Sequence, residues 1–232
     1  MQHRVPVHVR RAATMLDIGP MQSQPTIAIL GAGNVGGNLG VRLAASGFAV
    51  KFGVRAGSDV KDLLSRAGAR AELLSPQAAA AAAEIVFITT PSAVAVQVAQ
   101  DAELTGKIIV DCTNPLTWND GPVWSPPAAG SVAAAIAQAV PGARVIKGFN
   151  TFGAEIHLDP SLGGTVADVF LAGDDAEAKR AVAAVAEAAG FTPVDSGPLR
   201  NAAVLENLAI LWIHLALREG HGRSWAFKKV TR

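Results

Sequence analysis

From residue 26 to residue 195 the chain alternates short β-branched and apolar runs with alanine-rich stretches at helical spacing. Parallel strands need a long crossover between them, and a helix is the usual one. The alternation therefore restricts the chain to an α/β fold with a mostly parallel sheet. Strands are expected at Thr26–Leu30, Phe48–Val54, Ala71–Leu74, Ile85–Ile88, Lys107–Asp111 and Arg144–Lys147. Helices are expected at Asn34–Ala45, Asp59–Ala67, Pro76–Ala83, Ser92–Glu103 and Val132–Ala139. Six consecutive alanines in Pro76–Ala83 favour helix and can pack closely on a sheet. Proline and glycine are frequent in 112–130, which reads as loop. A smaller run follows, with strands at Val169–Ala172 and Thr192–Asp195 around a helix at Ala176–Ala189. The chain then enters its most apolar stretch, Asn201–Arg218, which is too short for a membrane span of ~20 residues. An all-round apolar helix is core or subunit interface, and this one predicts a homodimer.

Other features narrow the class. The chain has 232 residues, half of them hydrophobic, so it can bury a large core and is not intrinsically disordered. Twenty Lys and Arg against nineteen Asp and Glu give +1, which offers no electrostatic case for nucleic acid. The single cysteine excludes an internal disulfide and a cysteine-rich zinc site. Five scattered histidines show no metal pattern. Residues 1–24 lack the unbroken apolar stretch of a signal peptide and read as an unstructured extension, or as sequence upstream of a true start at Met21. Together these features predict a cytoplasmic protein. The expected organisation is a dinucleotide-binding domain over 25–150 and a smaller substrate and dimerisation region over 151–232 packed on it.

Gly31-Ala32-Gly33-Asn34-Val35-Gly36 lies between the first strand and its helix, the context that gives G-x-G-x-x-G its meaning. Gly31 permits the tight turn, Gly33 lets backbone approach a pyrophosphate, and Gly36 lets the helix lie close to the strand. Free N–H groups and the positive dipole end of the helix then face the phosphates, with Asn34 and Val35 in its first turn. Gly37 and Gly40 read as packing glycines. The second strand ends in Gly53-Val54-Arg55 with Ser58 and Lys61 beyond, where an NAD site would carry an acid. Arg55 can pair with a 2′-phosphate and Ser58 can donate to it, so NADP is the expected dinucleotide.

Ligands of open parallel sheets sit beyond the carboxyl ends of the strands. Those ends carry Thr89, Thr90 and Pro91, then Asp111 to Leu116 including Asn114, then Phe149, Asn150 and Thr151. They suit the nicotinamide ribose and carboxamide and supply no evident proton shuttle, so no catalytic residue is assigned. Cys112 reads as a buried thiol and Asp111 as a loop-holding carboxylate. His157 and His214 read as structural, while Glu206 and Asn207 either line a second-substrate site or serve an exposed or interface role.

Taken in order, Ile27–Gly36, Gly53-Val54-Arg55, Asp111–Leu116, Lys147–Thr151 and Asp195-Ser196-Gly197-Pro198-Leu199 resemble the F420-dependent NADP oxidoreductase family over about residues 25–232. The fold also occurs in the cytosolic domain of membrane metalloreductases, and its nucleotide half is like that of pyrroline-5-carboxylate reductases. The resemblance implies a Rossmann-type doubly wound sheet with a small C-terminal α/β extension ending in an apolar helix. It further implies hydride transfer between NADPH and a deazaflavin (F420) or a flavin-like ring such as FMN or FAD. By resemblance, Gly31, Gly33, Asn34, Val35 and Gly36 bind pyrophosphate, Arg55 the 2′-phosphate, and Thr90 and Pro91 the ribose side. Asn114, Phe149, Asn150 and Thr151 flank the nicotinamide. Val54 stands where the family often has a hydroxyl residue. Two other readings fit the fold: an NADP-dependent imine or keto-acid reductase, and a non-enzymatic dinucleotide sensor. Many enzymes of the first kind add a long helical domain with a catalytic lysine, and only 37 residues follow Asp195 here.

Overall fold

A computed structural model of the chain describes residues 24–58, 60 and 62–232. The expectations for the N-terminal extension, for the start of the Asp59–Ala67 helix and for Lys61 fall on residues outside these, Gln24 apart. The elements run β1 (Ile27–Leu30), α1 (Asn34–Ala45), β2 (Val50–Gly53), α2 (Leu63–Ala67), β3 (Ala71–Leu74), α3 (Pro76–Ala81), β4 (Ile85–Ile88) and α4 (Ser92–Asp101). Next come β5 (Ile108–Asp111), β6 (Leu116–Trp118), β7 (Pro122–Trp124), α5 (Val132–Ala139), β8 (Arg144–Lys147) and α6 (Ala154–Leu158). The last are β9 (Ser161–Leu162), β10 (Thr165–Val166), β11 (Asp168–Gly173), α7 (Ala176–Ala188), β12 (Thr192–Asp195) and α8 (Ala202–Ile213).

Eight strands form one sheet in the order β3-β2-β1-β4-β5-β8-β11-β12. The first six pair in parallel, β11 runs antiparallel to β8, and β12 returns parallel to β11. The doubly wound reading is borne out. Side chains alternate across the pleat, so each strand feeds two cores. Ile27, Ile29, Phe87 and Val110 pack with Leu39 of α1, Leu63 of α2, Ile156 of α6 and Val182 of α7. On the opposite face Ala28, Leu30, Val86 and Ile109 pack with Ala79 of α3, Ala95 of α4, Ile136 of α5 and Ala202 of α8. Alanine on this second face lets short helices sit against the strands without voids. Ser75, Ser131 and Asp175 cap α3, α5 and α7 by accepting from the N–H groups of Ala78, Ala134 and Ala178.

Three regions differ from the sequence reading. The stretch 112–130 holds an antiparallel hairpin, β6 with β7, turned by Asp120 and Gly121 at φ +50° and +146°. This Asp-Gly turn signal was masked by the surrounding prolines. A second, minimal hairpin (β9 with β10) turns on Gly163-Gly164, and α6 precedes it. The apolar stretch Asn201–Arg218 is not one regular helix. A 3-10 turn at Leu199–Asn201 leads into α8, which ends in a π turn at His214–Arg218. Among the described residues no helix is long and apolar enough to cross a membrane.

His157 on α6 is part of the core rather than of any surface site. It is 1% exposed, and its ring nitrogens lie 3.1 Å from the Gly153 carbonyl and 2.9 Å from that of Phe149. Burial drops its pKa to about 4. The unfolded chain takes up this proton near the ordinary imidazole value of 6.5 and the folded chain only near 4. Stability from this group is therefore present at neutral pH and is lost as pH falls through that window. Going from pH 7 to pH 5 should cost about 2 kcal/mol through His157 alone. Urea unfolding of wild type and His157→Gln at both pH values checks this, and equal pH sensitivity of the two would refute it.

Candidate functional site

The carboxyl edge of the sheet gathers most of the residues the sequence singles out. Gly31 follows β1 with φ +109°, and a Cβ there would lie 2.9 Å from the Thr89 and Thr90 backbone. Gly36 sits in the first turn of α1, where a Cβ would lie 1.9 Å from the Gly31 carbonyl oxygen and 2.3 Å from Thr89 Oγ1. The helix thus rests directly on the end of β1. Gly33 is the opposite case: nothing lies within 4 Å of its Cβ position. It is the N-cap of a 12-residue helix whose first turn receives no side-chain cap and holds no acidic residue. Uncapped N–H groups and the positive dipole end therefore face open space beside exposed Asn34 and half-buried Val35.

Neighbouring strand ends complete the edge. Thr89 donates from its hydroxyl to the Gly31 carbonyl at 2.6 Å, tying β4 to the glycine turn. Pro91 is the N-cap residue of α4. Val54 is half-buried and donates its N–H to Leu74, which leaves Arg55 and Ser58 exposed on the turn after β2. Across the sheet, Asn150 donates to the Asn114 side-chain oxygen at 2.9 Å and to the Leu205 carbonyl at 3.0 Å, while Asn114 donates to the Asn150 carbonyl at 2.9 Å. The two amides lock the loops after β5 and β8 together.

Among the described residues, the buried side-chain polar atoms without a hydrogen-bond partner are Thr90 Oγ1, Thr113 Oγ1 and Asn150 Oδ1. They belong to the ends of β4, β5 and β8, three adjacent strands. Buried polar groups are normally paired, so three unpaired ones at the ends of neighbouring strands single out this edge as a candidate ligand site. Two hydroxyls and an amide oxygen match the ribose and carboxamide of a nicotinamide nucleotide, and the open Gly33 cradle matches its pyrophosphate.

Several expectations need correction in detail. The Phe149 ring does not face this edge. It is 1% exposed and packs edge-on against Phe87 and Phe191, with centroids 5.4 and 5.6 Å away. Only its backbone, at φ +57°, can meet a ligand. Thr151 is buried, at 2%, to much the same extent as Thr113 and Asn150, each at 4%. Glu206 does not line a substrate cavity: it is fully buried and 3.4 Å from Lys147 Nζ. Asn207 is exposed and donates to the Ala203 carbonyl. Asp111 holds its loop as expected, accepting from the Thr113 N–H at 2.9 Å. Burial, with Asp111 adding to it, pushes the Cys112 thiol far up, so it stays protonated in the core. His214 faces Glu219 at 3.3 Å, away from the glycine turn in sequence and on the π turn.

Lys147 is the residue the sequence reading passed over. Its ammonium is fully buried, 2.8 Å from Asp111 Oδ2, and it also donates to the Thr113 carbonyl. Asp111 and Lys147 are register partners at the ends of β5 and β8. Opposite charges closing two neighbouring apolar strands was the available signal.

A Rossmann-type sheet, an uncapped glycine turn and unpaired polar atoms at the strand ends define a dinucleotide-binding oxidoreductase class. Residues 26–115 match the family described as NADP oxidoreductase, coenzyme F420-dependent. A crystal structure from Arthrobacter sp. FB24, assigned as an F420-dependent NADP-reductase, superposes with a TM-score of 0.78 at 31% identity, covering 89% of this chain and 100% of that one. The chain belongs to this F420-dependent NADP oxidoreductase family. It is also 30% identical over 188 residues to the metalloreductase STEAP3 of Rattus norvegicus, covering 80% of this chain and 36% of the relative. The chain thus spans about a third of the length of the curated relatives it matches. A reductive aminase of Aspergillus terreus in complex with NADPH shares the fold at 22% identity and TM-score 0.63, covering 85% of this chain and 64% of that one.

The glycines make separable predictions. Gly33→Ala should leave thermal stability within about 0.5 kcal/mol, since the new methyl meets nothing, but weaken NADPH binding by about tenfold or more. Gly36→Ala should lose both. Calorimetric titration with paired melting curves checks this; unimpaired binding by folded Gly33→Ala would remove the cradle assignment.

Proposed function

We propose that the chain holds NADPH across the carboxyl edge of the sheet and passes a hydride between it and a deazaflavin (F420) or flavin-like acceptor. The observation that carries this reading is the set of unpaired atoms Thr90 Oγ1, Thr113 Oγ1 and Asn150 Oδ1 at the ends of β4, β5 and β8, the strands that follow β1 and its uncapped helix N-terminus in the sheet. Family membership supports the NADP half, and the acceptor is part of the proposal.

In this reading Gly31, Gly33, Asn34, Val35 and Gly36 present backbone N–H groups to the pyrophosphate. Arg55 and Ser58, exposed on the turn after Val54, take the 2′-phosphate by charge and hydrogen bond. Thr90 and Pro91 border the ribose, with Thr89 occupied in bracing the glycine turn. Asn114 and Asn150 orient the carboxamide, and the Phe149 and Thr151 backbone closes the wall behind it. Bound NADPH supplies the hydride, and the acceptor ring draws its accompanying proton from water. The protein then contributes position, for which no acid or base is required. Cys112 and His157, both buried and held neutral, are assigned no chemical step.

The surface of α8 supports a homodimer. Its buried stripe runs through Leu205, Ala209, Trp212 and Ala216, yet Val204, Leu208, Leu211 and Leu215 form a second apolar stripe. Val204 is 63% and Leu211 48% exposed, and Trp118 and Val123 of the adjoining hairpin are exposed as well. A second copy of the chain is the proposed cover for this stripe.

Arg55→Asp should weaken NADPH binding by well over tenfold (about 1.4 kcal/mol per decade) while sparing NADH. Equal loss of both dinucleotides counts against the 2′-phosphate assignment. Rapid mixing with F420 or FMN should show NADPH oxidation, whereas turnover only with an imine or keto acid, or binding without any turnover, overturns the acceptor. Light scattering at micromolar concentration should give a dimer for wild type and a monomer for Leu211→Glu; a monomeric wild type removes the α8 interface.

A further inference from the structure

Three elements, β5, β8 and α8, meet at a single buried ammonium. Lys147 Nζ of β8 lies 2.8 Å from Asp111 Oδ2 of β5 and 3.4 Å from Glu206 Oε1 of α8, and all three side chains are 0% exposed. Glu206 also accepts from the Val132 N–H at the start of α5 (2.9 Å) and from Trp124 Nε1 of β7 (3.1 Å). The Thr113 peptide is gripped from both sides: its N–H donates to Asp111 Oδ1 at 2.9 Å, and its carbonyl accepts from Lys147. Two carboxylates thus share one lysine in a fully desolvated site, and burial pushes the Glu206 carboxyl above its ordinary value. A buried ion cluster is poor value for stability alone, because desolvation consumes most of the Coulombic gain. What it does supply is fixed geometry.

We infer that Lys147, braced by Asp111 and Glu206, is a positioning residue that sets the nicotinamide-side wall of the site through the Thr113 peptide. One residue further on, Asn114 interlocks with Asn150, which is itself tied to the Leu205 carbonyl of α8. Two of the three unpaired atoms, Thr113 Oγ1 and Asn150 Oδ1, stand on the segments this cluster holds. The third, Thr90 Oγ1, and the whole glycine turn stand on segments it does not touch. The cluster therefore governs one half of the dinucleotide site and not the other. It also joins that half to α8 and to the β6–β7 hairpin. This inference rests on the NADPH reading above.

The division gives a test that general destabilisation cannot mimic. Full-length wild type, Lys147→Met and Glu206→Gln are titrated with NADP and with 2′-phospho-ADP-ribose, which keeps the pyrophosphate and 2′-phosphate but lacks nicotinamide. In folded variants NADP affinity should fall by about tenfold for Lys147→Met and by less for Glu206→Gln, with the fragment's affinity changed less than about twofold. Hydrogen exchange without nucleotide should show the peptide spanning 112–115 deprotected, and the 31–37 peptide unchanged. Equal losses of NADP and fragment, or no loss of either in a folded variant with normal exchange at 112–115, overturn the inference. If Lys147→Met does not fold, Glu206→Gln decides by the same criteria. Failure of wild type to bind either molecule instead removes the NADPH reading itself.

Discussion

The contact on which the site depends is the approach of α1 to the end of β1. A Cβ at Gly36 would stand 1.9 Å from the Gly31 carbonyl oxygen, so no side chain of any size fits between helix and strand. Thr89 adds the second support, bonding the Gly31 carbonyl and so fixing β4 to the same turn. Gly33, one step along, has open space in place of a neighbour. Packing demands a bare backbone at Gly31 and Gly36, whereas nothing in the fold itself demands it at Gly33.

How much of this was legible in the sequence follows from which interactions are local. Strand alternation, the glycine turn and the position of Arg55 are encoded over a few residues, and β1 to β5 and β8 appear where the apolar runs place them. The β6–β7 hairpin was obscured because Pro115, Pro122, Pro126 and Pro127 outweighed the Asp120-Gly121 signal between them. Glu206 misled for a different reason. A glutamate on an apolar helix is equally a surface residue or a buried partner, and only the fold brings it across 59 positions to Lys147. The Phe149 ring misled because sequence position fixes the strand end but not the face. Its positive φ turns the chain so that the ring enters the aromatic cluster while Asn150 stays at the edge.

The C-terminal region adds strands to the same sheet and returns to brace it. Asp168 at the start of β11 accepts from Lys228 Nζ at 2.5 Å and from the Lys229 N–H at 2.6 Å, pinning the tail. Trp212 of α8 donates to the Trp225 carbonyl at 3.0 Å, and Arg223 pairs with Glu155 of α6 at 2.9 Å. These bonds place α8 between the tail and the loops after β5 and β8. The helix that shows an apolar stripe outward is thus the one that carries Glu206 and the Leu205 carbonyl inward.

The unpaired atoms explain why such bracing is needed. A buried donor or acceptor left unsatisfied costs roughly 1–3 kcal/mol, so three of them weigh against the fold at its carboxyl edge. A flexible edge would relieve that cost by turning Thr113 and Asn150 toward other partners. Asp111 and Lys147 fix the Thr113 backbone, and Asn114 with the Leu205 carbonyl holds the Asn150 side chain. Under the proposed NADPH reading, such rigidity holds unpaired polar atoms in place at the expense of stability, as expected where a site is organised before its ligand arrives. A scaffold made only for stability would have closed those hydrogen bonds internally.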